Sequence, residues 1–261
     1  MHKFAVTLKN VAYGSLSIIL FLIFWQAVVV TGVVPAAVIP TPTRVAVALC
    51  TAILSGSLLQ QTLQSLTNIS IGFLLSTAIA LPVGFLIGTF YKRFEKVLMP
   101  FMRMCEKLNP FALFPVFMIF FGIGSLEKVA VVWWVAQWPL VFNTIDGIRG
   151  IDYFLIKTAR SMGASRLTLF FKVILPSTVP GIFTGIKMSA QLSFFMIIAS
   201  EMIGASSGLG WLYLSSSAMY NVPLMYAIII FITILAIIIN VLFTRLERHF
   251  LVWKQSAFRT N

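Results

Sequence analysis

In a chain this apolar, the residues able to do chemistry are few, and they fall into four groups. Lys187 is the one basic residue inside a long apolar run, and Glu201 ends the same run. Ser57, Gln60, Gln61, Gln64, Ser65 and Asn68 recur at helical spacing and make a polar stripe that must avoid lipid. Ser189, Gln191 and Ser193 stand beside Phe194 and Phe195. The fourth group is a basic, aromatic stretch from Gly150 to Pro176. None of these makes a nucleophile with its base, or a pair of carboxylates. His2 and His249 are far apart, which leaves a metal site without ligands. Gly204–Gly210 is rich in glycine but lacks the Gly-Lys-Ser/Thr ending of a phosphate loop. What remains is the presentation of charge and hydrogen bonds to a passing solute or to a partner.

The elements that must carry these groups follow from composition. The 261 residues are 59% hydrophobic and 10% charged, with a mean hydropathy of +0.98. A soluble domain carries about 25% charged residues, so lipid is the expected solvent, and each spanning helix needs roughly 20 apolar residues. The apolar runs are Val11–Val33, Ile69–Phe90, Phe111–Ile123, Val129–Phe142, Ile182–Ala199 and Leu224–Leu242. The third and fourth are extended by their flanks, to 108–124 and 126–145. The expectation is an all-α, polytopic membrane bundle of about six transmembrane helices. Pro82, Pro110, Pro115, Pro139 and Pro180 are tolerable there, because neighbouring helices and hydroxyls take up the freed backbone groups. The 24 Phe read as lipid-facing or core residues.

Charge sets the expected orientation. Of the 19 Lys and Arg, two precede the first run (Lys3, Lys9) and five follow the second (Lys92, Arg93, Lys96, Arg103, Lys107). Five more follow the fourth (Arg149, Lys157, Arg160, Arg166, Lys172), and four end the chain (Arg245, Arg248, Lys254, Arg259). The opposite side keeps Arg44 and Lys128. This bias predicts a multi-pass protein of the bacterial inner (cytoplasmic) membrane with both termini cytoplasmic. It also accounts for the net charge of +12 without nucleic acid, since the basic residues are scattered between runs. The first apolar run is longer than a signal-peptide core, so an uncleaved helix is expected. Cys50 and Cys105 fall on opposite sides and cannot pair, and the Asn68-Ile69-Ser70 sequon opens a span.

The stretch after the fourth run reads as helix, glycine, helix. Asp152 can cap a helix whose Phe154, Leu155, Thr158 and Met162 share a face. Gly163 stands where that helix ends, at a position that often needs left-handed backbone angles. Ser165 can cap a second short helix, with Pro176 just beyond its end. Phe170 and Phe171 point in different directions, so one can pack inward while the other stays free. Physics leaves two readings open: an elbow that docks into a partner's groove, or a helix lying among lipid headgroups.

This stretch resembles the signature loop of binding-protein-dependent ABC permeases, written Glu-Ala-Ala, three residues, Gly, nine residues, Ile, one residue, Leu-Pro. Ala159, Gly163, Leu175 and Pro176 fall on that pattern, with Val173 and Ile174 at its aliphatic stretch; Lys157 and Thr158 replace its first two letters. Asn109-Pro110 to Pro115 with Phe121–Gly124, Asn143-Thr144 with Gly147–Arg149, and Ser200–Ala205 with Gly208–Gly210 resemble permeases of the nitrate, sulfonate, taurine and bicarbonate importers. So do Ser65-Leu66 and Gly72-Phe73, while Asn68 stands where many members have arginine. The similarity covers roughly residues 60–250.

The resemblance implies a type I importer permease fold and a non-catalytic subunit of an ATP-driven importer. Residues 1–56 would hold a cytoplasmic tail, the first helix and an outer loop. Residues 57–250 would form the permease core, with a coupling loop at about 150–176, and residues 251–261 a cytoplasmic tail. The implied partners are a cytoplasmic ABC ATPase dimer, an extracytoplasmic solute-binding protein and a second, identical permease subunit in the bilayer. The chain would need no cofactor, with ATP and Mg in the ATPase. The coupling residues would be Lys157, Ala159, Arg160, Met162, Gly163, Ala164, Ser165, Phe170, Leu175 and Pro176. Gln61, Gln64, Asn68, Lys187, Gln191 and Ser193 are the expected path-lining set, although for Lys187 snorkelling to the headgroups or pairing with a helix end is the favoured reading. Glu201 is expected to hold the Gly204–Gly208 turn. The expected cargo is a small organic or inorganic anion, a sulfonate, nitrate or bicarbonate; a vitamin or pyrimidine precursor is the alternative. A secondary transporter would show paired intramembrane charges or inverted repeats, and an embedded enzyme clustered acids or histidines; the sequence offers neither pattern.

Overall fold

Proline and glycine punctuate the apolar runs, and the helices start, bend and stop at them. The computed structural model describes the backbone of residues 2–35, 37–90 and 92–251, and the side chains of 16–35, 37–89 and 96–251. The side chains of His2, Lys3, Lys9, Lys92 and Arg93, and residues Lys254 and Arg259, lie outside those bounds. Among the described residues the regular structure is all helical, as expected of a membrane bundle.

In chain order the helices are α1 (His2–Val30), α2 (Pro42–Leu54), α3 (Ser57–Phe85), α4 (Lys92–Glu106) and α5 (Pro110–Phe121). Then come α6 (Ser125–Arg149), α7 (Tyr153–Ser161), α8 (Arg166–Leu169), α9 (Leu175–Met202), α10 (Leu209–Ala218) and α11 (Val222–Phe250). Two π turns, Leu86–Phe90 and Phe170–Ile174, extend α3 and join α8 to α9. Among the described residues, three runs are long and apolar enough to cross a membrane: Ser57–Thr89, Arg166–Met202 and Val222–Phe250. A fourth counts if Lys96–Glu106 and Pro110–Phe121, bent by 89°, form one span.

Two segments differ from the sequence reading. The expected run 108–124 is helical only over the 12 residues of α5, about 18 Å at the α-helical rise, well short of the roughly 30 Å of a bilayer core. Its ends are set locally: Asn109 Oδ1 accepts the Phe111 N–H at 3.0 Å, Pro110 occupies the first turn, and Gly122 stops the helix at φ +73°. Pro176 was expected to lie beyond a separate elbow helix, yet the helix runs unbroken from Arg166 to Met202. Proline falls in the first turn of α9, where the preceding π turn has already changed the hydrogen-bond register.

The helices form two compact units. One comprises Met1–Gln61 and Leu212–Thr233, where Trp25 packs between Phe21 and Tyr226 at ring distances of 6.2 and 6.3 Å. The other comprises Thr62–Trp211 and Ile234–Asn261. Its centre is the pairing of α6 with α9. Gly181 and Gly185 make this possible, because a Cβ at Gly181 would lie 2.8 Å from the Asn143 carbonyl oxygen and one at Gly185 3.1 Å from that of Pro139. Ser189 continues the stripe and donates to the Ala136 carbonyl at 2.6 Å. Lipid offers no hydrophobic drive for helices to associate, so close backbone approach and interhelical hydrogen bonds carry more of the packing. Leu140, Ile145, Ala80 and Ile87 fill the core beside this pair.

Candidate functional site

The chain from Gly150 to Pro176 folds into an elbow built by local backbone rules. Asp152 Oδ1 accepts the Phe154 N–H at 2.8 Å and starts α7. At the other end of α7, Gly163 takes φ +80°. Its N–H bonds the Arg160 carbonyl at 3.0 Å, and the Ala164 N–H reaches back to Ala159 at 3.1 Å, the paired bonds of a Schellman stop. A Cβ on Gly163 would meet nothing within 4 Å, so backbone angle, not crowding, calls for glycine here. Ser165 Oγ accepts the Thr168 N–H at 3.2 Å and starts α8.

The elbow has an inward and an outward face. Ile148, Leu169 and Ile174 form its buried core, with Ile156, Ala159 and Phe170 packed against them. Phe170 meets Phe85 edge-on at 5.3 Å, whereas Phe171 stays exposed. Of the two aromatics, Phe170 is therefore the structural one. Tyr153, Phe154, Met162 and Leu167 are 70–83% exposed. Lys157, Arg160, Gly163 and Ser165 are exposed with them, Ala164 and Leu175 half-buried, and Pro176 exposed.

At the opposite end of α6, about 35 Å away along the helix, the ionisable residues are enclosed. Glu127 is 1%, Lys128 2% and Glu201 0% exposed. Glu201 accepts from Ser65 Oγ at 2.7 and 2.9 Å and from the Gly210 N–H at 3.0 Å. Ser65 Oγ in turn accepts the Leu209 N–H at 3.0 Å. Gly208, at φ +111°, lies against the Glu201 carboxylate. Glu127 accepts from Ser200 Oγ at 3.0 Å, and Lys128 Nζ donates to the Ser207 carbonyl at 3.3 Å. The cluster thus ties α3, α6 and the end of α9 to the 203–210 loop. Sequence reading placed Lys128 on the outer side, at the start of the fourth run, and gave Glu127 no role; the signal in hindsight is an adjacent Glu-Lys pair opening a helix otherwise free of charge for several turns.

Among the expected path-lining residues, Lys187 and Gln191 come together against one helix. Lys187 Nζ lies 3.8 Å from Glu247, and Gln191 Nε2 donates to Asn240 Oδ1 at 2.7 Å, so both face α11. The partner of Lys187 thus lies near the C-terminal end of α11, beyond the last apolar run. Ser193 is buried and donates to the Ser189 carbonyl at 2.7 Å. On α3, Gln61 is half-buried, Gln64 reaches Ser125 at 3.4 Å, and Asn68 is buried with its Nδ2 unpartnered. Cys50 and Cys105 are free.

A family model described as the binding-protein-dependent transport system inner membrane component matches residues 80–252. The chain belongs to this family. It is an ABC importer permease, a non-catalytic, multi-pass inner-membrane subunit whose ATPase is a separate chain. A permease named for aliphatic sulfonate transport in Bacillus subtilis (strain 168) is 32% identical, over 89% of this chain and 84% of that protein. The taurine transport system permease protein TauC of Escherichia coli (strain K12) is 26% identical, over 94% and 90% of the two chains. Among solved structures, a chain of the MetNI methionine ABC transporter in an inward-facing form superposes with a TM-score of 0.66, at 19% identity, over 74% of this permease and 95% of that chain. That likeness supports the type I importer fold.

Proposed function

We propose that this permease forms the membrane path of an ATP-driven importer for small anions of the organic sulfonate class, and that its elbow is the contact through which a cytoplasmic ATPase drives it. The observation that carries the coupling is the outward face of the elbow. Tyr153, Phe154, Met162, Leu167 and Phe171 are exposed on a segment whose backbone is fixed by Asp152, Gly163 and Ser165. A rigid, apolar and basic projection suits insertion into a groove, and coupling needs a contact that both states bias. The cargo class rests on the two relatives named for aliphatic sulfonates and taurine.

In this reading two copies of the permease pair in the membrane, each elbow meeting one ATPase subunit that holds ATP and Mg. A solute-binding protein delivers cargo from the far side. The termini and the elbow lie in the cytoplasm, in keeping with the basic loops. Uptake of labelled taurine by cells carrying the permease, its ATPase and its binding protein tests the proposal, with nitrate as a competitor. Taurine uptake that unlabelled alkanesulfonates suppress and nitrate leaves intact supports it. Uptake suppressed by nitrate alone overturns the cargo class, and uptake indifferent to Met162→Asp with Leu167→Asp overturns the coupling.

A further inference from the structure

The inward side of the elbow holds a feature that docking does not use. Between the elbow and the ends of α3 and α6 lies a cavity of about 500 Å³. Three arginines line it, Arg149, Arg160 and Arg166, together with Tyr153 and Thr89. No acidic residue is among its described lining residues. Arg149 is held at 3.6 Å by Asp146, one turn back on its own helix, but neither Arg160 nor Arg166 has an ion pair among the described residues. Thr89 Oγ1 is buried without a hydrogen-bond partner. The floor is apolar, made by Ile148, Phe170 and Ile174.

Of the three guanidinium groups, those of Arg160 and Arg166 lack an ion pair among the described residues, and their planar forks match the oxygens of a phosphate or sulfonate. An unpartnered buried hydroxyl supplies a further donor. The apolar floor suits a short hydrocarbon attached to such a head. We propose that this cavity binds an oxyanion, phosphate or sulfonate, carried on an apolar group, either an anionic phospholipid or a soluble amphiphile. The site shares Tyr153 and Arg160 with the edge of the outward docking face, but its anion chemistry stands whether or not that face meets an ATPase. Occupied, it would cross-link α6, α7 and α8 and so stiffen the elbow.

The test is thermal unfolding of the purified full-length permease in a non-ionic detergent, titrated with inorganic phosphate, hexyl phosphate and dihexanoylphosphatidylglycerol. Dihexanoylphosphatidylcholine is the zwitterionic control. Wild type is expected to show a saturable rise in midpoint with hexyl phosphate and the anionic lipid. Arg166→Gln removes one charge-assisted contact and is expected to weaken apparent affinity about tenfold, and Thr89→Val to weaken it by a smaller factor. Arg44→Gln, on the other structural unit, is expected to leave the titration unchanged. Tighter binding of the anionic lipid than of hexyl phosphate identifies a headgroup as the source; the reverse order identifies a soluble amphiphile. No saturable response to any anion overturns the proposal. So does a response that is equal in wild type and Arg166→Gln, for the arginines would then face only solvent or an acidic partner.

Discussion

The two ends of α6 treat charge in opposite ways. At one end, Glu127, Lys128 and Glu201 are withdrawn from solvent and bonded to Ser65, Ser200, Ser207 and Gly210. At the other, Lys157, Arg160 and Arg166 remain exposed, and so do the apolar side chains beside them. A buried charge is tolerable only when paired and hydrogen-bonded, so the first end is complete in itself and fixes the 203–210 loop. The second end is rigid in backbone but leaves Lys157, Arg160 and Arg166 without ion pairs among the described residues. One end is built to hold the bundle and the other to meet something else.

The largest loss of stability is expected at the enclosed end. Glu201→Ala strips the acceptor from Ser65 Oγ and the Gly210 N–H and removes an anion from beside Lys128; the expected loss is about 3–5 kcal/mol, read from unfolding of the purified permease in mixed detergent. A loss below about 1 kcal/mol would place these groups in water. Next comes the helix pair between the two ends. Gly181→Ala would force a methyl against the Asn143 carbonyl oxygen, where only backbone can yield. Overpacking of this kind costs about 1–3 kcal/mol, and the same unfolding assay reports it.

Smaller still is the pair between α9 and α11. Lys187 and Glu247 keep 30% and 28% of their side chains exposed at 3.8 Å, so a double-mutant cycle with Lys187→Met and Glu247→Gln is expected to give a coupling of about 0–1 kcal/mol. A much larger coupling would make the pair a structural lock. The smallest effect on stability belongs to the elbow's outward face. Met162→Asp and Leu167→Asp change exposed side chains, and each is expected to move stability by no more than about 0.5 kcal/mol.

The same contrast explains what the sequence could reveal. The elbow was legible because its determinants are local: Asp152, Gly163 and Ser165 each act within a few residues of themselves. Even so, which of Phe170 and Phe171 faces inward depended on Phe85, far away in the chain. The enclosed cluster was only half legible. Glu201 beside a glycine turn suggested a hydrogen bond, but Ser65 and Glu201 are 136 positions apart, and Glu127 and Ser200 are 73 apart. No periodicity joins such residues. Lys187 read as an isolated charge for the same reason, its partner lying on α11. The unbroken helix through Pro176 was hidden by the π turn, which moves the hydrogen-bond register without a residue signal of its own. By contrast, Gly181, Gly185, Ser189 and Ser193 recur every fourth residue, a pattern of small residues that marks a packing face in membrane helices and could have been read.

The most direct test of the docking elbow is co-purification of the tagged permease with its cognate ATPase in detergent, comparing wild type with the Met162→Asp, Leu167→Asp double variant. Wild type is expected to retain the ATPase and the double variant to lose it while unfolding at the same midpoint. A double variant that holds the ATPase as firmly as wild type, or a wild type that holds none, would contradict docking through the elbow.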